Sequence, residues 1–158
     1  MTEDAPPLST PPVGRAAGDF IVAPDGSQVR LLLTEEHGAT RCSVVEVTIG
    51  AGEVSRPVRH RTVEEAWYVV SGTGDVWRCP PGLPVRQVLP VRVTAGDALV
   101  IPTGWDFQFR ADADSEMRFV CVTVPAWPGM DEAVEVPEGG LGEPTLASPE
   151  VNPDVEPR

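Results

Sequence analysis

The sequence predicts an all-β protein, one small sandwich or barrel with a flanking segment at each end. Three observations lead there. In the middle of the chain apolar residues alternate with polar ones or run in short β-branched stretches, and none recur at helical spacing. Gly and Pro interrupt those stretches at close intervals. The 158 residues suit a single domain, and many short strands between turn signals are the pattern of an antiparallel two-layer or closed fold.

Strands are predicted, in order, over 19–23, 29–33, 42–49, 58–61, 66–71, 75–79, 85–93, 98–101, 107–111 and 117–124. The first ends at Pro24-Asp25-Gly26, and the third, a Val-rich alternation, ends at Gly50-Ala51-Gly52. Ser71-Gly72-Thr73-Gly74 and Pro80-Pro81-Gly82 bracket the sixth strand. Ala95-Gly96-Asp97 closes the seventh and Pro102-Thr103-Gly104 the eighth. The last, Met117 to Val124, alternates again, and Trp127-Pro128-Gly129 is the predicted end of the ordered chain.

Residues 1–17 carry four prolines and few apolar anchors, so they read as a flexible arm. Residues 18–130 form the β domain. Residues 131–158, with eight acidic residues and five prolines, read as a disordered, acidic, Pro-rich tail that buries too little apolar surface to offset its ordering entropy.

All twelve basic residues are arginine, which excludes lysine-dependent phosphate binding and Schiff-base chemistry. The formal charge of -12 repels a nucleic-acid backbone and an anionic membrane surface, so neither is an expected partner. There is no apolar run long enough to span a bilayer and no signal-like N-terminus. Three cysteines without C-x-x-C spacing suggest reduced thiols, and a cytoplasmic location is the expectation.

Two stretches carry the candidate chemistry. In the first, Gly52 is followed by five residues, then Val58-Arg59-His60, four residues, Glu65, six residues and Gly72. In the second, Gly96 is followed by five residues, Pro102-Thr103-Gly104, two residues and Phe107. Together they resemble the paired signatures of the cupin superfamily, G-x5-H-x-H-x3–4-E-x6-G and G-x5-P-x-G-x2-H. The resemblance covers most of 18–130 and implies a jelly-roll barrel that forms homodimers. It also looks like a subfamily of small bacterial cupins, on the wording His-Arg-Thr-Val-Glu-Glu with Trp-Tyr, then Phe-Gln-Phe-Arg and Trp-Pro-Gly.

In metal-binding cupins these positions supply three His and one Glu to a divalent ion. Here only His60 and Glu65 match; Val58 and Phe107 replace the other two, and neither has a lone pair to donate. The one other histidine, His37, is remote from both motifs. No cofactor is therefore expected. The alternative is a divalent metal held by His60 and Glu65 with a further donor such as Cys121, His37 or Asp106.

If His60 and Glu65 face the barrel interior, strand alternation puts Trp67 and Val69 on the face of Glu65, Val58 on that of His60, and Phe109 on that of Phe107. The expected site is an apolar chamber of Val58, Trp67, Val69, Phe107 and Phe109 holding one imidazole and one carboxyl. Glu64, Tyr68, Gln108 and Arg110 should face away from it, and the orientation of Cys121 stays open. The same side chains also fit a plain core with one buried His–Glu pair. The functional expectation is a small-molecule ligand in this cavity, with His60 and Glu65 as catalytic residues in acid–base chemistry of isomerase, cyclase or lyase type. Two alternatives stand beside it: a non-catalytic module for a sugar-like or aromatic metabolite, and a metal-dependent oxygenase or isomerase.

Overall fold

The computed structural model describes residues 4–147 and 149. Its strands are β1 (Ile21–Val22), β2 (Gln28–Leu33), β3 (Ser43–Ile49), β4 (Val58–His60), β5 (Glu64–Ser71), β6 (Thr73–Cys79), β7 (Val91–Thr94), β8 (Ala98–Ile101), β9 (Asp106–Ala111), β10 (Met117–Val124) and β11 (Ala133–Glu135). Short 3-10 turns lie at Glu35–His37, Val85–Gln87 and Met130–Glu132, and no α-helix occurs among the described residues. No helix among them is long and apolar enough to cross a membrane.

The strands pair antiparallel into two sheets, ordered β1-β2-β3-β10-β5-β8 and β11-β4-β9-β6-β7. The predicted all-β jelly roll is what the chain forms. Period-2 patterning drives it: every second residue of β3 and β10, and of most of β5, is buried, so each strand turns one face inward. Val47, Ile49, Trp67, Val69, Met117 and Phe119 from the first sheet meet Val58, Val76, Phe107 and Phe109 from the second. Burial of each large side chain contributes about 1.5–3 kcal/mol. Gly72 makes the turn from β5 to β6 at φ +82°, where a Cβ would overlap the carbonyl oxygen of Glu116. The glycine of the motif is thus a steric requirement of the hairpin.

The structure differs from the sequence expectation in two places. The strand predicted over 85–93 is mostly loop: Val85–Gln87 forms a 3-10 turn and pairing starts only at Val91. Pro84 and Pro90 flank that loop, and each removes a backbone donor. The acidic segment predicted to leave the domain at 131 instead stays on the barrel as far as Ala147. Its β11 pairs with β4, and Val136 and Leu141 are buried. Its acidic average concealed these anchors, together with Leu146, which packs on the core. Residues 148 and 150–158 of the predicted tail lie outside the described residues, as do residues 1–3 of the predicted arm.

The returning segment covers an apolar outer face of the second sheet. Trp77 and Gln108, neighbours on β6 and β9, point away from the core between the sheets, yet both are 0% exposed. Gln108 Nε2 donates to the carbonyls of Ser55 (3.0 Å) and Gly142 (2.9 Å), and its Oε1 accepts from the Leu141 amide (2.8 Å). Gly139 and Gly140 lie so close to Gln108 and Trp77 that a side chain at either would collide with them. Gln108→Ala is expected to cost about 2–4 kcal/mol, because it leaves buried backbone groups without partners. Chemical denaturation would measure the loss, and hydrogen exchange at the Leu141 amide should accelerate. Unchanged exchange at Leu141 would mean that something other than Gln108 holds the segment.

Candidate functional site

A cavity of about 630 Å³ lies inside the barrel. Strands β2, β3, β5 and β10 of the first sheet form much of its wall, and β4 contributes Val58 and His60 from the second. The loops at 23–25, 34–42 and 126–130 complete it. Most of the lining is apolar, with a few polar side chains set into it, as is usual for a small-molecule site.

His60 and Glu65 both reach this cavity, as expected from their positions. His60 ends β4 and is 4% exposed. Its ring meets Phe107 and Trp127 edge-on, with centroids 5.1 and 5.2 Å away. Its Nδ1 is buried without a hydrogen-bond partner and lies 3.5 Å from Glu65 Oε1. On β5, the other carboxyl oxygen of Glu65 accepts a hydrogen bond from Trp67 Nε1 at 2.7 Å. A charged pair at this spacing would attract strongly in a dry site, but both groups are driven toward their neutral forms. Burial depresses the His60 imidazole to about 4, against a partial opposing pull from the Glu132 carboxylate. Burial lifts the Glu65 carboxyl to about 7; the Trp67 N–H and the Cys121 thiol hold it down somewhat, and Asp25 adds to the rise.

Glu132, the carboxylate that tempers His60 from the turn leading into β11, is itself locally fixed. Burial works against ionisation of Glu132, yet the amides of Thr62 and Val63 (2.6 Å each) and the Thr62 hydroxyl keep its carboxyl below the ordinary range. Glu132 therefore pins the turn between β4 and β5 that sets His60 and Glu65 side by side.

The other expected residues divide. Val58 and Trp67 line the cavity. Val69, Phe107 and Phe109 do not: all three are core, and the two phenylalanines pack edge-on against Trp67 (5.9 and 5.2 Å). Parity put them on the inward face correctly, but an inward face is partly filled core and only partly open. Trp67 also stacks on Phe119, with centroids 4.0 Å apart. Cys121 faces inward, opposite Trp67 in the β5–β10 register. Burial and the neighbouring Glu65 carboxyl push its thiol well above the usual range, so it is an uncharged wall group rather than a nucleophile.

Sequence reasoning passed over several residues that the fold brings here. Asp25 was visible only as part of a turn. Its carboxyl lines the cavity and accepts from Ser27 N (2.8 Å) and Ser27 Oγ (2.6 Å), and burial still raises its pKa. Trp127, predicted as an end marker, is a wall of the site. Its amide donates to Ser43 Oγ (2.9 Å), which in turn bonds Thr123 Oγ1 (2.5 Å), tying the 126–127 loop to β3 and β10. The spacing Asp25-x-Ser27 was the one available signal, and an Asp two residues before a Ser ordinarily marks a turn.

The family pattern raises the question of a metal. Val58 and Phe107 stand at two of its ligand positions and supply no donor. Among the described residues no group of three His, Cys, Asp or Glu side chains converges in a way that could hold an ion. Cys121 is near, but it does not complete a group of three with His60 and Glu65; His37 instead takes the Thr34 amide at a 3-10 turn. Asp106 is paired with Arg59 (2.7 Å). The residues present do not fit a resident divalent metal.

Comparison with known proteins bears on the fold. The Cupin domain family matches residues 45–123. No curated protein matches the chain. Among solved structures, oxalate decarboxylase from Bacillus subtilis is similar at TM-score 0.67 and 14% identity, over 84% of this chain and 34% of that one. The capsular polysaccharide assembling protein CapF from Staphylococcus aureus is similar at 0.62 and 17%, over 74% and 33%. KdgF from Halomonas sp. is similar at 0.54 and 21%, over 68% and 88%. This chain thus spans about a third of the length of the first two. Identities this low bear on architecture alone.

Proposed function

Because this chain belongs to the cupin family, we propose that it binds a small organic molecule in the barrel cavity and moves a proton on it with His60 and Glu65, as an isomerase, cyclase or lyase would. The observation that carries this reading is the unsatisfied pair. His60 Nδ1 and Glu65 Oε1 face each other at 3.5 Å without a hydrogen bond, on the wall of a cavity large enough for a metabolite. Buried polar groups ordinarily find partners, so an open pair on a cavity wall suits a ligand that supplies them.

The chemistry follows from the two perturbed groups. Near neutral pH His60 is an uncharged base, and Glu65, at about 7, can enter as either acid or carboxylate. One takes a proton from a ligand carbon or hydroxyl while the other delivers a proton to an adjacent atom. The pair ends with the proton count it began with, as isomerisation requires. Elimination differs only in that the delivered proton leaves with the departing group. Trp67 holds the Glu65 carboxyl in place through its N–H.

The test is proton washout. Proton NMR in D2O would follow exchange at activated carbons in a panel of hydroxy ketones and amino ketones. His60→Ala is expected to slow exchange by about 10²–10⁴-fold, the usual contribution of a positioned acid–base group. Equal rates in the two proteins would remove His60 from the chemistry. The second reading, a non-catalytic module for an aromatic or sugar-like metabolite, is favoured by the stacked Trp67–Phe119 wall. It is distinguished by saturable binding that persists in His60→Ala with no exchange in either protein.

A further inference from the structure

The cavity is one-sided in charge. Asp25, Glu35 and Glu65 line it, and among the described residues no arginine does; the chain has no lysine. The nearby arginines are engaged elsewhere. Arg56 donates its amide to the Asp25 carbonyl but sends its guanidinium to Glu135. Arg59 pairs with Asp106, and Arg61 reaches the Asp131 carbonyl. The carboxyls of Asp25 and Glu65 therefore stand in apolar surroundings with no protein cation opposite them. A second, separate observation points to an occupant: His60 Nδ1, on a side chain 96% buried against the same cavity, has no hydrogen-bond partner. Around these groups stand the aromatic side chains of Trp67, Phe119 and Trp127.

We propose that the cavity selects a small organic cation, a primary ammonium on an apolar or aromatic body, over neutral and anionic molecules of the same shape. The ammonium has three N–H donors. It donates to the Glu65 carboxylate and to His60 Nδ1, a neutral imidazole acceptor 3.5 Å from Glu65 Oε1, and the Asp25 carboxyl adds negative charge on the same cavity. An isolated buried carboxylate is costly, and the ligand supplies the missing opposite charge. The aromatic walls favour a cation over their faces and bury the body of the ligand. An anion would meet like charge with no donor to receive it. The inference rests on the reading of this cavity as a small-molecule site and names the class of molecule that enters it.

Three probes of one shape test it: benzylamine, benzyl alcohol and benzoate, each titrated at neutral pH into the whole protein and followed calorimetrically and by the indole N–H signals of Trp67 and Trp127. Benzylamine is expected to bind about tenfold or more tighter than benzyl alcohol, and benzoate not at all. In Glu65→Gln, which keeps the acceptor for Trp67 and is expected to fold well, that preference should fall to about threefold or less. Benzyl alcohol binding as well as benzylamine, or benzoate binding best, would overturn the charge preference while leaving a small-molecule site in place. Binding of none of the three would also overturn it. The proton-transfer reading stands or falls separately, on the washout experiment with His60→Ala.

Discussion

At about pH 8 the Glu65→Gln variant is expected to be about 3 kcal/mol more stable than the unmodified protein, and at about pH 4 the difference should fall below about 0.5 kcal/mol. The sign follows from the direction of the shift. Burial lifts the Glu65 carboxyl from 4.5 to about 7 in the folded chain. The folded state then holds this proton more tightly than the unfolded one. The contribution of Glu65 to stability is intact below 4.5 and is lost as pH rises through about 7. Glutamine keeps an oxygen for the Trp67 N–H and cannot ionise. His60 behaves oppositely: depressed from 6.5 to about 4, it costs nothing above 6.5 and destabilises as pH falls toward 4. Between 4.5 and 6.5 the two slopes oppose each other, so removing Glu65 uncovers the slope of His60. Guanidinium unfolding at a series of pH values measures both effects. A variant whose stability followed the pH profile of the parent would mean that the carboxyl ionises normally in the fold. The same substitution removes the titrating group from the proposed reaction, the trade expected where a site holds a group in an unfavourable form.

Trp67→Ala is expected to have the larger structural effect, about 3–5 kcal/mol of destabilisation. For a chain of this size that lowers the melting temperature by about 10 °C. Trp67 is 3% exposed, stacks on Phe119, and meets Phe107 and Phe109 with its edges, so it joins both sheets at the point where filled core gives way to open cavity. Calorimetry would measure the change, and a drop of less than about 3 °C would show that the surrounding core closes over the gap. Trp67→Phe separates packing from polarity. It retains most of the volume but withdraws the N–H that holds the Glu65 carboxyl down. Its unfolding should therefore lose stability with rising pH more steeply than that of the parent.

Strand positions were legible because a half-buried strand needs alternation, and β3, β5 and β10 carry it plainly. The inward placement of His60 and Glu65 was what the cupin resemblance implied, and strand alternation then carried it to their neighbours. Two expectations failed for one reason. Composition described 131–147 as solvated, yet it stays on the barrel through the β11–β4 pairing, the Gln108 hydrogen bonds and the buried Val136 and Leu141. A pair of prolines broke the strand predicted over 85–93 although its apolar content was adequate. In both, what mattered was the surface or donor available to the segment, which no average over its residues contains.

By itself the sequence determined that this chain is built of short antiparallel strands, and that Val58 and Phe107 stand where the cupin signatures it resembles carry histidines; that one imidazole and one carboxyl share the interior was what the resemblance implied. These are properties of residue type and spacing, carried locally along the backbone. Only the tertiary structure decided which inward residues border open space, since Phe107 and Phe109 fill the core while Asp25, Cys121 and Trp127 reach the cavity from distant parts of the chain. It also decided the protonation of His60 and Glu65, because desolvation depends on everything packed around a group.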